Sequence, residues 1–447
     1  MLDPLYHLLE EVYGVSKNGF LPAHQPLKCL PDRYYQPWEA IVGRLPALLL
    51  VDDRLRGEVD DLEILITSRL HREEEWQRAY LLLGLLTHAY IWGGEKPAEK
   101  LPPSITVPFL EVSAYLGLPP TATYAALSLW NFQSLSSDDI DLTKPENLGI
   151  LHTFTGSPDE AWFYIISVAI EARGAPAIPL MLKAIDAARE DKTAVVVESL
   201  NMVTTCIRDL EVLLERMHEN CDPHVFYYHI RPYLAGTKNM AAAGLPAGVF
   251  YDEGFGKGRY RQYSGGSNAQ SSLIQLFDIF LGVEHRFTGT KALGKESKNK
   301  EHAFIKARNK LRFRKYAEMR DYMPGKHRNF LQYVTSVANI RSYIESRPSN
   351  RDLKEAYNAT VEMLGTFRNQ HIQIVTRYII LPSRKSLEEQ SRRQNIASAS
   401  SRKKLLSKES EEPPSQDLHG TGGTMLIPFL KQTRNETKDA KVILRRD

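Results

Sequence analysis

Apolar residues recur at steps of three and four along nearly the whole chain, and strict apolar/polar alternation joined by Asn-Gly turns is missing. This pattern predicts an all-α protein. The clearest stripe is Leu353, Tyr357, Thr360, Leu364, Phe367, His371, Ile374 and Tyr378, whose alternating steps place them on one helix face. Phe163, Ser167 and Ile170 share a face in the same way. Asp222 followed by Pro223 is a capping residue with proline at the first helical position, so a helix starts there and carries Phe226, Tyr227 and Arg231. Gln270-Ser271-Ser272 precedes an apolar helix from Leu273 to Val283, and Gly265-Gly266-Ser267 before it lets the backbone approach a flat ligand closely. The run Gly254-Phe255-Gly256-Lys257-Gly258 resembles a dinucleotide loop, but no preceding strand and no βαβ unit is predicted, so that reading is rejected.

Domain-size priors and the polar stretch Ser136 to Asn147 divide the chain into a smaller helical domain, 1–148, and a larger one, 149–447. Lys291 to Arg320 holds eleven Lys or Arg and three Glu among Phe304, Leu311, Phe313 and Tyr316. A solvated amphipathic face is the better account of it than a nucleic-acid or membrane contact. Ser383 to Gln416 is rich in Ser, Lys, Arg and Glu, without apolar period, and is predicted to be a disordered loop at about 383–416.

Composition narrows the class. The 447 residues suffice to bury a cofactor. A net charge of +3 gives no argument for nucleic acid. Cys29, Cys206 and Cys221 are far apart and odd in number, so reduced thiols are expected rather than a disulfide framework or zinc cluster. The start Met1-Leu2-Asp3-Pro4 has no basic, apolar leader, and apolar runs such as Ala79 to Leu86 and Trp162 to Ile170 are short for a membrane span, so a soluble cytoplasmic protein is expected.

His371 points to the core on its stripe, and Arg368 projects from one turn earlier on nearly the same side. A neutral imidazole on a rigid helix can ligate haem iron, and a guanidinium beside it can fork onto a propionate. On spacing alone an ordinary core histidine, with Arg368 reaching water, is the better account. For Ser167 the bland account is a hydroxyl bonded back one turn, and for Arg231 a surface ion pair.

The segment Thr366-Phe367-Arg368-Asn369-Gln370-His371-Ile372-Gln373-Ile374-Val375-Thr376-Arg377-Tyr378-Ile379 resembles the proximal-helix signature of indoleamine 2,3-dioxygenases. In the same order, Leu118-Pro119-Pro120 leading to Tyr124, Phe163 to Glu171, Phe226 to Leu234 and Tyr251-Asp252-Glu253-Gly254-Phe255 resemble that family. So do Gly265 to Ser272, Tyr322-Met323-Pro324, His327 to Leu331 and Gly420-Thr421-Gly422-Gly423-Thr424. The resemblance implies a haem b enzyme that inserts O2 across the indole C2–C3 bond of L-tryptophan to give N-formylkynurenine. It makes His371 the proximal iron ligand, Arg368 and Ser267 cofactor contacts, and Ser167 a residue near the oxygen or the indole nitrogen. It makes Tyr124, Phe163, Phe226, Arg231, Gly266, Ser267 and Thr421 the substrate pocket, with Arg231 facing the carboxylate and Thr421 closing over it. It further implies an electron donor to keep the iron ferrous, a monomer, and neither a nucleic-acid nor a membrane partner. Tyr164 and Tyr227 stand where animal members carry Phe.

Two other functions remain open at this point: a haem-binding relative acting as a sensor or on another indole, and a helical interaction protein in which His371 is core. Turnover of tryptophan separates the first, and an optical spectrum the second.

Overall fold

The computed structural model describes residues 4–51, 53–135, 141–285, 318–384, 420–421 and 426–443. Most of the basic stretch up to residue 317, nearly all of the expected disordered loop, and Gly422-Gly423-Thr424 lie outside these residues.

The principal helices are α1 (Glu73–Trp92), α2 (Pro103–Leu116), α3 (Pro158–Gly174), α4 (Ala177–Arg189), α5 (Thr193–Glu215), α6 (Ser272–Leu281), α7 (Gly325–Val337), α8 (Arg351–Val375) and α9 (Leu426–Asp439). The all-α expectation holds, with a few short strands added. α8 starts at Asn350, whose side chain accepts from Leu353 N–H at 3.0 Å, a capping bond that satisfies one of the orphan donors of a helix start. Its predicted stripe is buried from Leu353 to Phe367 and again at Ile374 and Tyr378. That stripe packs along α5, where the Thr204 and Thr360 hydroxyls meet at 2.8 Å. α9 packs on α8 as well.

α1 is buried without interruption from Arg78 to Trp92, as befits a helix apolar on every side. Its few polar groups pin other segments. His88 Nδ1–H donates to the Tyr233 carbonyl at 2.7 Å. The carbonyl partner fixes the tautomer, so Nε2 accepts from Thr121 Oγ1 at 2.8 Å and from Ala122 N–H at 3.1 Å. Burial lowers the His88 pKa to about 4, keeping the ring neutral for this role. Trp92 Nε1–H donates to the Ala235 carbonyl at 2.8 Å. One helix thereby positions both the chain leading to Tyr124 and the chain around Arg231.

Three findings differ from the sequence reading. Residues Val249–Gly254 and Lys257–Arg261 form an antiparallel hairpin, β4 and β5 in a sheet with β1 (Lys100–Leu101). A strand does precede the glycine run, but a second strand follows where a dinucleotide site needs a helix. Gly254, Phe255 and Gly256 make its turn with φ of 80°, 52° and 73°, a conformation that glycine adopts freely and that is uncommon for Phe255. The polar stretch near residue 141 connects strands β2 (Phe132–Ser134) and β3 (Leu148–Ile150), which pair antiparallel across it. Finally, the helical stretch Pro158–Arg189 is long and apolar enough to cross a membrane by length and composition, with 72% of its apolar window buried inside the protein. All three cysteines are free.

Candidate active site

Among the described residues three π-helical turns interrupt the fold: Ala125–Leu129, Phe226–Ile230 and Thr376–Ile380. Each adjoins residues singled out in the sequence, and π turns gather at functional sites because the extra residue re-aims neighbouring side chains. The first follows Tyr124. The second carries Phe226 and delivers Arg231. The third ends the helix of His371.

Asp222 caps its helix as predicted, accepting from His224 N–H at 2.8 Å and Val225 N–H at 3.1 Å. The π turn then brings Phe226 against Phe163, with ring centroids 5.0 Å apart, and edge-on to Tyr378 at 5.7 Å. Aromatic pairs at these separations are favourable. They join the α3 side of the site to the turn that continues α8. Arg231 is 4% exposed and lies 5.8 Å from the Tyr227 ring centroid. Burial lowers its pKa.

Ser167 donates to the Phe163 carbonyl at 3.3 Å, the local bond that the bland account foresaw. One turn on, Glu171 Oε1 accepts from Tyr124 Oη at 3.0 Å and from Ser271 Oγ at 2.6 Å. Oε2 is buried with no partner among the described residues. Burial raises the Glu171 pKa to about 7, against the opposing pull of the two hydroxyls. Gln270 Oε1 accepts from Tyr124 N–H at 2.8 Å, and its Nε2 donates to the Gly265 carbonyl at 2.8 Å. Tyr124 is thus clamped at both backbone and hydroxyl.

The Gly265-Gly266-Ser267 loop is close-packed against protein. A Cβ on Gly265 would fall 2.0 Å from the Leu234 carbonyl oxygen, and one on Gly266 2.5 Å from Leu127 Cδ1. The sequence reading assigned these glycines to a ligand's approach. The structure adds a requirement from the backbone of residues 234–236. Ser267 accepts from Ala269 N–H at 3.3 Å. Thr421 docks on this loop: its hydroxyl donates to the Gly266 carbonyl at 2.8 Å, and its own carbonyl accepts from Gly265 N–H at 3.0 Å and Gly236 N–H at 3.2 Å.

His371 lies on α8 with its ring partly exposed, yet burial lowers its pKa to about 4, with Arg368 adding to the shift. No hydrogen bond from the ring to another described residue occurs, and a deeply placed imidazole without a protein partner is costly. A neutral, unengaged imidazole is the state a haem iron ligand requires, so the residues present fit the group. Arg368 has a strong protein partner: its Nη2 lies 2.6 Å from Asp278 Oδ2, and Nη1 bonds Thr437 Oγ1. His285 continues the cluster, 3.0 Å from Asp278 and 2.8 Å from Glu436. Burial favours a protonated Asp278, but Arg368 and then His285 overrule it and hold the carboxyl well below its usual range.

Asp278 was not singled out in the sequence, and Glu171 and Gln270 were named there only within motifs, without a role. The available signal was an acid in an apolar run, Leu273 to Leu281 for Asp278 and Tyr164 to Ala172 for Glu171. Such an acid needs a buried partner.

The Indoleamine 2,3-dioxygenase family profile matches residues 9–440. The chain is 42% identical over 429 residues to the indoleamine 2,3-dioxygenase qulI of Penicillium citrinum, covering 95% of this chain and 87% of that protein. It is 42% identical over 438 residues to the indoleamine 2,3-dioxygenase of Saccharomyces cerevisiae, covering 96% and 92%. It is 36% identical over 440 residues to the 6-hydroxytryptophan 2,3-dioxygenase fscD of Fusarium equiseti, covering 98% and 99%. With the helical fold, the three π turns and the unengaged His371 imidazole, these matches establish that the chain belongs to the indoleamine 2,3-dioxygenase family of haem-dependent enzymes.

Proposed function

We propose that this enzyme opens the indole ring of L-tryptophan with O2 to give N-formylkynurenine. His371 carries the reading: a neutral imidazole on a rigid helix with no partner among the described residues is suited to hold haem iron from the proximal side. The haem, when bound, supplies the dioxygen chemistry, and an external reductant keeps it ferrous. The protein's part is orientation and the exclusion of water.

Phe163 and Phe226 form an aromatic wall for the indole, and Tyr124 closes it from the other side. Arg231 faces the substrate carboxylate, for which a guanidinium fork is directional where lysine is a point charge. The Ser167 hydroxyl bonds back to the Phe163 carbonyl and lies beside the Tyr124 hydroxyl, and its oxygen lone pairs suit an indole N–H. Gly266 and Ser267 border substrate and haem, and Thr421 covers the carboxylate end. Arg368, anchored by Asp278, brings its guanidinium charge to a haem propionate.

Arg231→Ala tests the assignment. Losing the partner of a desolvated carboxylate costs about 2–5 kcal/mol, or roughly 30- to several-thousand-fold in kcat/KM for L-tryptophan. Tryptamine, which has no carboxylate, should lose far less. Equal losses for both would assign Arg231 to fold or haem instead. The relative named for 6-hydroxytryptophan supplies the second reading, a ring-hydroxylated substrate. A higher kcat/KM for 6-hydroxytryptophan than for tryptophan would decide for it.

A further inference from the structure

Tyr124 opens a helical segment, so its N–H has no acceptor one turn back. The group that meets it comes from 146 residues further along the chain. Gln270 ends the short turn Asn268–Gln270 and is 2% exposed. Its Oε1 accepts from Tyr124 N–H at 2.8 Å, and its Nε2 donates to the Gly265 carbonyl at 2.8 Å. A backbone donor on one side and a backbone acceptor on the other fix which end of the carboxamide lies where, and they require a side chain that carries both functions. Removing it would leave two backbone groups without partners, which is costly when they are buried.

The two backbones that Gln270 joins belong to opposite ends of the proposed pocket. On one side the Gly265-Gly266 loop rests on the chain leading to Tyr124, since a Cβ on Gly266 would lie 3.3 Å from the Ala122 carbonyl oxygen. On the other side it meets the chain that follows Arg231, where a Cβ on Gly236 would fall 2.2 Å from Gly265 N. Thr421 sits on both: its carbonyl accepts from Gly265 N–H at 3.0 Å and from Gly236 N–H at 3.2 Å, and its hydroxyl donates to the Gly266 carbonyl. Gly265 therefore holds Thr421 through its N–H and Gln270 through its carbonyl.

We propose that Gln270 is a positioning residue that sets the spacing between the indole wall at Tyr124 and the carboxylate end at Thr421, and so favours substrates that bear a carboxylate. The inference rests on the pocket reading above. Its two arms have separable consequences. The Tyr124 arm bears on any indole. The Gly265 arm, acting through Thr421, bears on the carboxylate alone.

Dissociation constants of tryptophan and tryptamine, read from the Soret shift of the haem-loaded, full-length enzyme, test this beside kcat for tryptophan. Gln270→Met keeps the length and removes both bonds. It should weaken both ligands, tryptophan by about tenfold or more, with kcat within about twofold of wild type because binding rather than chemistry is lost. Gln270→Glu separates the arms. Burial raises the pKa of a carboxyl, so at about pH 5.5 the introduced group is protonated and both accepts from Tyr124 and donates to Gly265. At about pH 8.5 it has lost the hydrogen that Gly265 needs. Tryptophan should bind as in wild type at the lower pH and about tenfold more weakly at the higher, while tryptamine changes little. Glu171, which titrates near 7 and bonds both Tyr124 and Ser271, is common to both proteins, so each value is taken as a ratio to wild type at the same pH. The Tyr124 hydroxyl is held well above its ordinary 10 and does not titrate in this range.

Circular dichroism and haem content establish that each variant is folded, and Gln270→Glu carries the test if Gln270→Met is not. The proposal is overturned by undiminished tryptophan binding in folded Gln270→Met, by a ratio for Gln270→Glu that does not change with pH, or by equal changes for tryptophan and tryptamine in Gln270→Glu. Arg231→Ala, measured alongside, separates this inference from the pocket reading. Equal losses for the two ligands in Arg231→Ala sink the pocket reading, whereas the expected split there with an indifferent Gln270→Met sinks only the role of Gln270.

Discussion

Tyr124 Oη donates to Glu171 Oε1 at 3.0 Å, and Ser271 gives its hydroxyl hydrogen to the same oxygen. One carboxyl thus ties Tyr124 to the cap of α6. Burial raises the Glu171 pKa from its ordinary 4.5 to about 7. The folded state therefore holds a proton that the unfolded chain releases, and stability falls as pH rises from about 4.5 to about 7. The full penalty, on the order of 3 kcal/mol, is present above that window. Glu171→Gln keeps the accepting oxygen without the ionisation and should flatten this part of the pH–stability curve. Denaturant titrations at pH 5 and 8 measure it, and an unchanged slope would place the titrating group elsewhere.

Breaking the Asp278–Arg368 pair should cost far more than a surface ion pair. Asp278→Ala leaves Arg368 and His285 buried without their shared carboxylate, a loss of about 3–5 kcal/mol. Replacing both partners by apolar residues, as in Asp278→Leu with Arg368→Met, should cost less than the sum of the single changes. Chemical denaturation of the three variants reads this directly. His285, whose pKa its acidic partners raise, contributes stability that is complete below its ordinary 6.5 and lost as pH rises through its folded value.

His371→Ala should lose most of its haem and stay helical, because the rest of the α8 stripe packs on α5 without that ring. Absorbance in the Soret region per protein, beside the far-ultraviolet circular dichroism, gives both readouts. Full haem content would move the proximal ligand elsewhere.

Gly265→Ala should distort the candidate pocket. The added carbon would lie 2.0 Å from the Leu234 carbonyl oxygen and 2.4 Å from Gly236 N, backbone atoms that cannot rotate away. A loss of about 1–3 kcal/mol is expected, with a higher KM for tryptophan because Thr421 docks on this backbone. An unaltered melting temperature and KM would show that the loop yields.

The sequence by itself determined the helices and what lies on their faces. The stripe from Leu353 to Tyr378 and the Asp222-Pro223 start are local facts, since 3.6-residue periodicity and capping depend on neighbours within one or two turns. It also identified the residues that resemble a known family's site, including His371 and Arg231. Only the tertiary structure decided what these side chains meet. Asp278 and Arg368 are 90 residues apart, and Tyr124 and Gln270 are 146 apart, so no local pattern connects them. The β4–β5 hairpin escaped because Lys257–Arg261 is largely exposed and carries no apolar alternation. The π turns escaped because one extra residue in a turn leaves the apolar pattern almost intact while re-aiming the side chains that follow. Whether a buried polar residue is a satisfied part of the core or an available ligand depends on its partners, and those are chosen by packing between distant segments.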